Sequence, residues 1–253
     1  MDRDSRTPVA TLQAAQALEA GRPQTLSEES AHHLRVVRAA LGDVVALRDG
    51  TGRTAVGTLV RLSRGGATGD VEEVAVVDPL DPVHLLAPVA DRDRMMWLAE
   101  KATELGVTSW RPVVWRRSKS VSPRGEGTMF QQKLRGRMMS ALLQSQGAWL
   151  PEPFPDATVE RAVAAAPDGT RILLDVEGDP ILSIPLDGAV TIAVGPEGGV
   201  EASERDTFVA GGFRLASLGP TRLRFETAAL AAVATVRAAL AVRGLRPQPD
   251  GDR

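Results

Sequence analysis

The sequence contains no cysteine and no tyrosine among its 253 residues. The absence of cysteine excludes disulfides, thiolate nucleophiles and metal sites with cysteine ligands. Three histidines without an H-E-x-x-H pattern leave few metal ligands, so we expect no metal site. No stretch approaches the roughly 18 to 20 uncharged apolar residues of a membrane span, and the first ten residues lack the apolar core of a signal peptide. We therefore expect a cytoplasmic protein that binds neither metal nor membrane.

Acidic residues are almost missing from one part of an otherwise balanced chain, whose net charge is −2. Between Arg111 and Arg137 only Glu126 faces eight basic residues, and between Arg35 and Arg64 six arginines face two aspartates. Such segregation is typical of a protein that meets phosphate with one face. A solvated surface is the alternative, since only three of the 30 basic residues are lysine and base composition can favour arginine. We interpret the first basic surplus as a nucleic-acid contact. For the second surplus, a nucleic-acid contact and a solvated surface are left as equal alternatives.

The segment DPLDP, at 78–82, separates two differently patterned regions, because its prolines interrupt both helices and strand ladders. Before it, two β-rich runs are joined by the hairpin pattern Asp49–Gly52, and a third strand is predicted from about Gly69. One helix interrupts this β-rich half. Ser27 is its expected N-cap, and the helix should continue to about Arg38.

After the boundary, strands and helices alternate, which favours a parallel sheet with helices on both faces. The predicted strands are HLLAPVA, TSWRPVVW, RILLDV, AVTIAVG and FRLASLG. The predicted helices cover about 93–105, 128–146, 157–166, a stretch from 201 onward, and 226–242. We expect an exposed loop at 122–127 and a disordered tail at 245–253.

Two loops that follow predicted strands are candidate ligand sites, because ligands of open α/β sheets collect outside the carboxyl ends of strands. Gly195–Gly199 has a stiffening proline and glycines that permit close approach of the backbone. It lacks the complete phosphate-binding motifs, and Glu197 suits a neutral or cationic ligand better. A tight structural turn explains this loop equally well. In the second loop, the arginines at 222 and 224 could clamp a phosphate or pair with Glu226, and on its own the pairing is favoured.

Four motifs occur along the chain in a defined order and span nearly all of it. They are His32–Arg38 with Gly42 and Asp43, Lys101–Val107, Gly195–Gly199 with Glu204, and Leu218 and Gly219 with Arg222–Ala228. Together they resemble the RsmE family. The resemblance implies an α/β protein with a PUA-like β-barrel over residues 1–77 and a SPOUT-type methyltransferase domain over residues 83–244. In that domain the C-terminal part would form a trefoil knot around a parallel sheet.

The resemblance also implies a function: S-adenosylmethionine-dependent methylation of N3 of a uridine in 16S ribosomal RNA of the small subunit, performed by a homodimer. Two departures from the family pattern concern the RNA more than the cofactor. The family usually shows Glu-Gln-Ser and then Arg where this chain has Leu143–Gly147, and a lysine where this chain has Asp91. These losses motivate an alternative, a non-catalytic RNA-binding or ribosome-assembly protein that retains the fold.

From the resemblance we expect backbone groups of the two loops to bind S-adenosylmethionine, and Gly198→Val to abolish that binding by intruding on the ligand. The catalytic candidates are Arg224 and Glu226, with Glu197 another possible base, and the base is left unassigned. The expected cofactor-binding residues are Val194, Gly195, Pro196, Glu197, Gly198, Gly199, Leu218, Gly219, Leu223 and Arg224. The expected RNA-binding residues are Arg35, Arg38, Arg116, Arg117, Lys119 and Arg124. The alanine-rich final helix is the expected dimer interface.

Overall fold

A computed structural model describes residue 8, residues 10–118 and residues 128–244. By contacts the chain divides into two compact units: Met1–Pro79 with Met139–Leu150, and Leu80–Met138 with Pro151–Arg253. The division thus adds 139–150 to the first unit, although these residues follow the boundary segment in sequence. The expected exposed loop at 122–127, the expected tail at 245–253, and the RNA candidates Lys119 and Arg124 lie outside the described residues.

The first unit is built on a five-stranded sheet with the order β1-β3-β4-β5-β2. β3 and β4 form the predicted antiparallel hairpin around Asp49–Gly52. β5 begins three residues earlier than expected, and the sequence patterns missed the short strands β1 and β2, which are too brief for visible alternation. The strands are β1 (Thr11–Gln13), β2 (Arg22–Thr25), β3 (Val44–Arg48), β4 (Arg53–Ser63) and β5 (Gly66–Val76).

The helix of the first unit, α1 (Glu28–Val36), begins as predicted. The Ser27 hydroxyl accepts a hydrogen bond from the backbone amide of Ser30 at 3.2 Å, which satisfies one of the unpaired amides at the helix start. Ala31 and Leu34 are buried in a core formed with the inward side chains of the sheet, whereas the adjacent His32 and His33 are exposed. The local sequence pattern therefore predicted the start of this helix correctly.

The second unit contains a parallel sheet with the order β12-β10-β11-β6-β7-β8, in which β9 also pairs with β7. Parallel strands need helical crossovers, so the alternating pattern correctly indicated this architecture. The strands are β6 (Val83–Pro88), β7 (Ser109–Val114), β8 (Glu152–Pro153), β9 (Ala157–Thr158), β10 (Gly169–Pro180), β11 (Ala189–Ala193) and β12 (Arg214–Ser217). The order places β10 between β11 and β12, so the loops after β11 and β12 lie on either side of one strand.

The remaining helices agree with the predicted ones to within a few residues. They are α2 (Arg92–Glu104), α3 (Thr128–Gln144), α4 (Val159–Ala164), α5 (Ala202–Ala210) and α6 (Phe225–Gly244). The largest difference is at α4, whose predicted first residues form the strand β9 instead, because Ala157 and Thr158 pair with β7. Thr158 then caps α4 by accepting a hydrogen bond from the amide of Arg161.

By length and composition, α6 is apolar enough over Phe225–Arg243 to cross a membrane. One such helix is weak support for a membrane span, since core helices of globular domains share the same composition. In this chain one face of α6 is buried in the second unit, where it contacts α2, β6 and β11. The buried side chains include Phe225, Ala229, Val233, Val236 and Leu240.

Candidate functional site

A cavity of about 810 Å³ opens where β11 and β12 end, beside the middle of β10, at the edge of the sheet where the sequence predicted a ligand site. The residues around it come from the middle of β10, from the loops after β11 and β12, and from the N-terminal parts of α5 and α6. Its volume lies within the range of small-molecule and cofactor sites, about 300 to 1,000 Å³. The cavity is thus large enough for a nucleoside-sized ligand.

Nine of the ten expected cofactor-binding residues line this cavity, although the two loops are well separated in sequence. Gly198 is the exception. A Cβ atom at Gly198 would lie 2.9 Å from the Cβ of Arg117. The side of Gly198 that would carry a side chain therefore faces the turn after β7 and is filled by Arg117. Gly198 therefore does not line the cavity, and a valine at 198 would first displace Arg117.

Two glycines of the cavity adopt backbone conformations that other residues rarely take. Gly199 has φ +83° and Gly219 has φ +125°. A Cβ atom at Gly219 would meet no other atom within 4 Å, so the space beside it is open. The backbone at Gly219 can therefore approach a ligand closely, which a branched side chain would prevent.

About half of the cavity wall is apolar, and the rest is polar and includes several charged side chains. Asp175, in the middle of β10, accepts a hydrogen bond from the backbone amide of Glu177 at 2.9 Å and lies 3.7 Å from the guanidinium of Arg205. Arg205 also bonds the Glu177 carboxylate at 3.1 Å. Such a wall suits a ligand with an apolar body and a few polar groups. The apolar lining residues are Leu174, Val176, Val194, Pro196, Val200, Leu218, Leu223 and Phe225.

Beside the cavity, Arg94 joins the two loops through their carboxylates. From the start of α2, its Nη2 donates to Glu226 Oε2 at 2.6 Å and to Glu197 Oε1 at 2.7 Å, and its Nε donates to Glu226 Oε1. Its guanidinium also lies over the ring of Phe225, 4.5 Å from the ring centre. Sequence reasoning missed Arg94, which lies 103 and 132 residues from its two partners.

This ion pair determines the protonation of Glu226. Burial raises the pKa of Glu226. The hydrogen bonds from Arg94 and from the Glu226 backbone amide, together with the charge of Arg94, lower the pKa by more than burial raises it. The pKa of Glu226 is therefore below its ordinary value. Hydrogen bonds to Glu226 and Glu197 raise the pKa of Arg94. A carboxylate held ionised in this way is a weak proton acceptor, which argues against Glu226 as a general base.

The two arginines of the second loop do not pair with Glu226, so the favoured structural interpretation of that loop was wrong. Arg94 pairs with the Glu226 carboxylate instead. Arg222 and Arg224 both line the cavity and are exposed. Neither makes a side-chain hydrogen bond or ion pair with another residue in the part of the chain that the structure describes. Their charge is thus available to a ligand.

The turn after β7 brings two of the RNA candidates against the first loop. The backbone amide of Arg116 donates to Glu204 Oε1 at 2.7 Å, and Arg117 Nη1 donates to the carbonyl of Gly198 at 3.1 Å. Glu204 is buried and also accepts the backbone amide of Glu201, so it fixes the start of α5. Both arginine side chains remain more than half exposed.

The RNA candidates of the first unit are exposed at the end of α1. Arg35 Nη1 donates to the carbonyl of Ser63 at 2.8 Å, which steadies its side chain, and Arg38 has φ +56°. Within residues 10–118 and 128–244, no three histidine or acidic residues cluster as metal ligands would.

Comparisons with known proteins identify the class to which this fold and site belong. The RNA methyltransferase domain family matches residues 77–237, and the RNA methyltransferase PUA domain family matches residues 26–72. The chain therefore belongs to the RNA methyltransferase family, with a PUA domain before the methyltransferase domain.

Individual relatives confirm the resemblance to RsmE. The chain is 29% identical over 222 residues to ribosomal RNA small subunit methyltransferase E of Mycobacterium bovis, covering 83% of each chain. It is similar to the same enzyme of Neisseria gonorrhoeae bound to S-adenosylmethionine, with 26% identity and a TM-score of 0.82. The match covers 91% of this chain and 97% of the Neisseria chain. A methyltransferase of Legionella pneumophila in complex with S-adenosylmethionine shares the fold, with 23% identity and a TM-score of 0.84. The match covers 92% of this chain and 98% of the Legionella chain.

Proposed function

We propose that this protein uses S-adenosylmethionine to methylate N3 of a uridine in 16S ribosomal RNA of the small subunit. The observation that carries the proposal is the cavity itself, where both predicted loops meet at the ends of β11 and β12, the two strands that flank β10. Similarity to an enzyme bound to S-adenosylmethionine supports the choice of cofactor. Similarity to small subunit methyltransferases supports the choice of RNA.

The residues present fit S-adenosylmethionine. The open space beside Gly219 and the apolar wall suit its nucleoside, and the carboxylates of Glu197 and Asp175 suit its positive charges. When bound, the cofactor supplies an electrophilic methyl group. We assign the backbone of Gly195–Gly199 and Leu218–Leu223 to holding it, with Arg94 keeping the two loops in place through Glu197 and Glu226.

Methylation at N3 replaces a proton whose pKa in free uridine lies well above neutrality. Arg224 lines the cavity, and its guanidinium pairs with no other residue within the described part of the chain, so we assign it to stabilising the negative charge that develops as the proton leaves. Glu226 positions Arg94 and is not assigned as the base. Because N3 lies on the pairing edge, the uridine must be unpaired or turned out of its stack to reach the cavity.

Contact with ribosomal RNA would use the exposed arginines, chiefly through phosphates. We assign Arg35 and Arg38 of the PUA domain and Arg116 of the methyltransferase domain to this role, and Lys119 and Arg124 remain expected contacts.

The double variant Arg35→Ala and Arg38→Ala should bind ribosomal RNA with a weaker salt dependence, by about one unit of slope for each lost phosphate contact. A titration of RNA binding against salt concentration measures this slope. Arg161→Ala is the control, because Arg161 is exposed on α4 and lies outside both basic regions. An unchanged slope in the double variant would assign these arginines to the solvated surface.

Three further features belong to the proposal: a C-terminal trefoil knot, a cytoplasmic location without metal or membrane, and a homodimer. Small side chains on the exposed side of α6 would allow two copies to pack closely there. This side carries Ala234, Ala238, Ala241 and Val242. A monomeric mass by light scattering, in an active preparation, would contradict the dimer.

Incubating the protein with S-adenosylmethionine and small subunits from a strain lacking its gene should restore one 3-methyluridine per 16S RNA. Mass spectrometry of the nucleosides measures the product. The matched control is Arg224→Gln, which should lose most of the product. Cofactor and RNA binding without any product from the wild-type protein would instead support the non-catalytic alternative.

A further inference from the structure

The turn after β7 is a rigid platform beside the first cavity loop. Trp115 is buried and stacks on Phe208 of α5, with ring centres 5.1 Å apart. Ser118 closes the turn, since its amide donates to the carbonyl of Trp115 at 2.9 Å and its hydroxyl accepts the amide of Trp115 at 3.1 Å. The two arginines between them are thus presented from a fixed backbone.

Arg117 uses this position to hold the cavity loop. Its Nη1 donates to the carbonyl of Gly198, and its Nε lies 3.5 Å from the carboxylate of Glu201 at the loop's end. Its aliphatic stem fills the space in front of Gly198, where even a methyl group would be 2.9 Å from the Cβ of Arg117. One side chain therefore contacts the loop at two points.

Arg116 differs from its neighbour in what its side chain does. The contact of Arg116 with Glu204 of α5 at 2.7 Å comes from its backbone amide, which any residue other than proline would supply. Its guanidinium lies 3.5 Å from Glu201 and is 68% exposed. The two adjacent arginines, grouped together by sequence as RNA contacts, thus have different structural surroundings.

We propose that Arg117 is a positioning residue that holds the cofactor loop, Gly195–Gly199, in its binding conformation. In this proposal Arg116, and not Arg117, contacts an RNA phosphate. The inference rests on the proposed function, because the ligand of the loop is S-adenosylmethionine. A guanidinium can bond the Gly198 carbonyl and the Glu201 carboxylate together, whereas the single ammonium of lysine cannot match both directions.

The test compares Arg117→Ala with Arg116→Ala in the full-length protein. Loss of a charge-assisted hydrogen bond to Gly198 should weaken S-adenosylmethionine binding in Arg117→Ala about tenfold, measured by calorimetry. Its salt slope for ribosomal RNA should stay at the wild-type value. Arg116→Ala should show the reverse, with wild-type cofactor affinity and a slope reduced by about one unit. Arg117→Lys should recover only part of the cofactor affinity.

Each outcome decides between the two roles. Unchanged cofactor affinity in a folded Arg117→Ala variant, with a reduced salt slope, would overturn the inference and restore Arg117 as a phosphate contact. Equal losses of cofactor and RNA binding, accompanied by a lower unfolding midpoint, would show a general structural role and also overturn it. Failure of the wild-type protein to bind S-adenosylmethionine would instead overturn the proposed function, so the two failures are distinguishable.

Discussion

Arg94→Ala is expected to lower the free energy of unfolding by about 3 kcal/mol and to remove methyl transfer. Arg94 is the shared partner of Glu226 and Glu197, and the Glu226 side chain is only 11% exposed. Removing one partner of a buried ion pair leaves an uncompensated charge, which costs about 3 to 5 kcal/mol. Chemical denaturation and a methylation assay measure the two effects.

Removing the carboxylate as well should relieve part of this loss. The double variant Arg94→Met with Glu226→Gln should be more stable than Arg94→Ala, because no buried carboxylate then lacks its partner. Methyl transfer should nevertheless stay low, since the two loops are no longer joined. A stability of Arg94→Ala within about 0.5 kcal/mol of the wild type, the range of ordinary surface substitutions, would contradict this account.

The destabilisation should also depend on pH in a defined direction. The folded-state pKa of Glu226 is lowered, so its pairing contributes fully above the unfolded-state value, which is about 4.3 for glutamate. This contribution is lost as the pH falls through the lower folded-state pKa. The stability difference between wild type and Arg94→Ala should therefore be largest near neutral pH and shrink in acid.

Gly219→Val should abolish S-adenosylmethionine binding, while the protein remains folded. Valine at φ +125° is strained by about 1 to 3 kcal/mol, and its side chain would enter the open space beside the loop. Calorimetry with S-adenosylmethionine measures the loss of binding, and chemical denaturation measures the strain.

Gly212→Val is the matched control for this strain. Gly212 has φ +81°, a Cβ atom there would also meet nothing within 4 Å, and Gly212 does not line the cavity. Both valine variants should therefore lose similar stability, and only Gly219→Val should lose the cofactor. Equal cofactor affinity in the two variants would remove Gly219 from the binding site.

Local chemistry determined the parts of this protein that were predictable from sequence. Ser27 caps α1 because its hydroxyl reaches an amide three residues away, and the Asp49–Gly52 turn pairs strands adjacent in sequence. Such contacts depend on short stretches of chain, so composition and spacing are sufficient to indicate them. The two cavity loops were found in the same way, from glycine and proline at predicted strand ends.

Only the tertiary structure decided which distant side chains meet. Strand order makes β10 the neighbour of both β11 and β12, and the packing of α2 against α6 brings Arg94 to Glu226 and to Glu197 of the first loop. The same fold gives Arg116 and Arg117 different contacts, although they are adjacent in sequence. Pairings between residues about a hundred positions apart depend on the packing of whole elements, which leaves no periodicity in the local sequence.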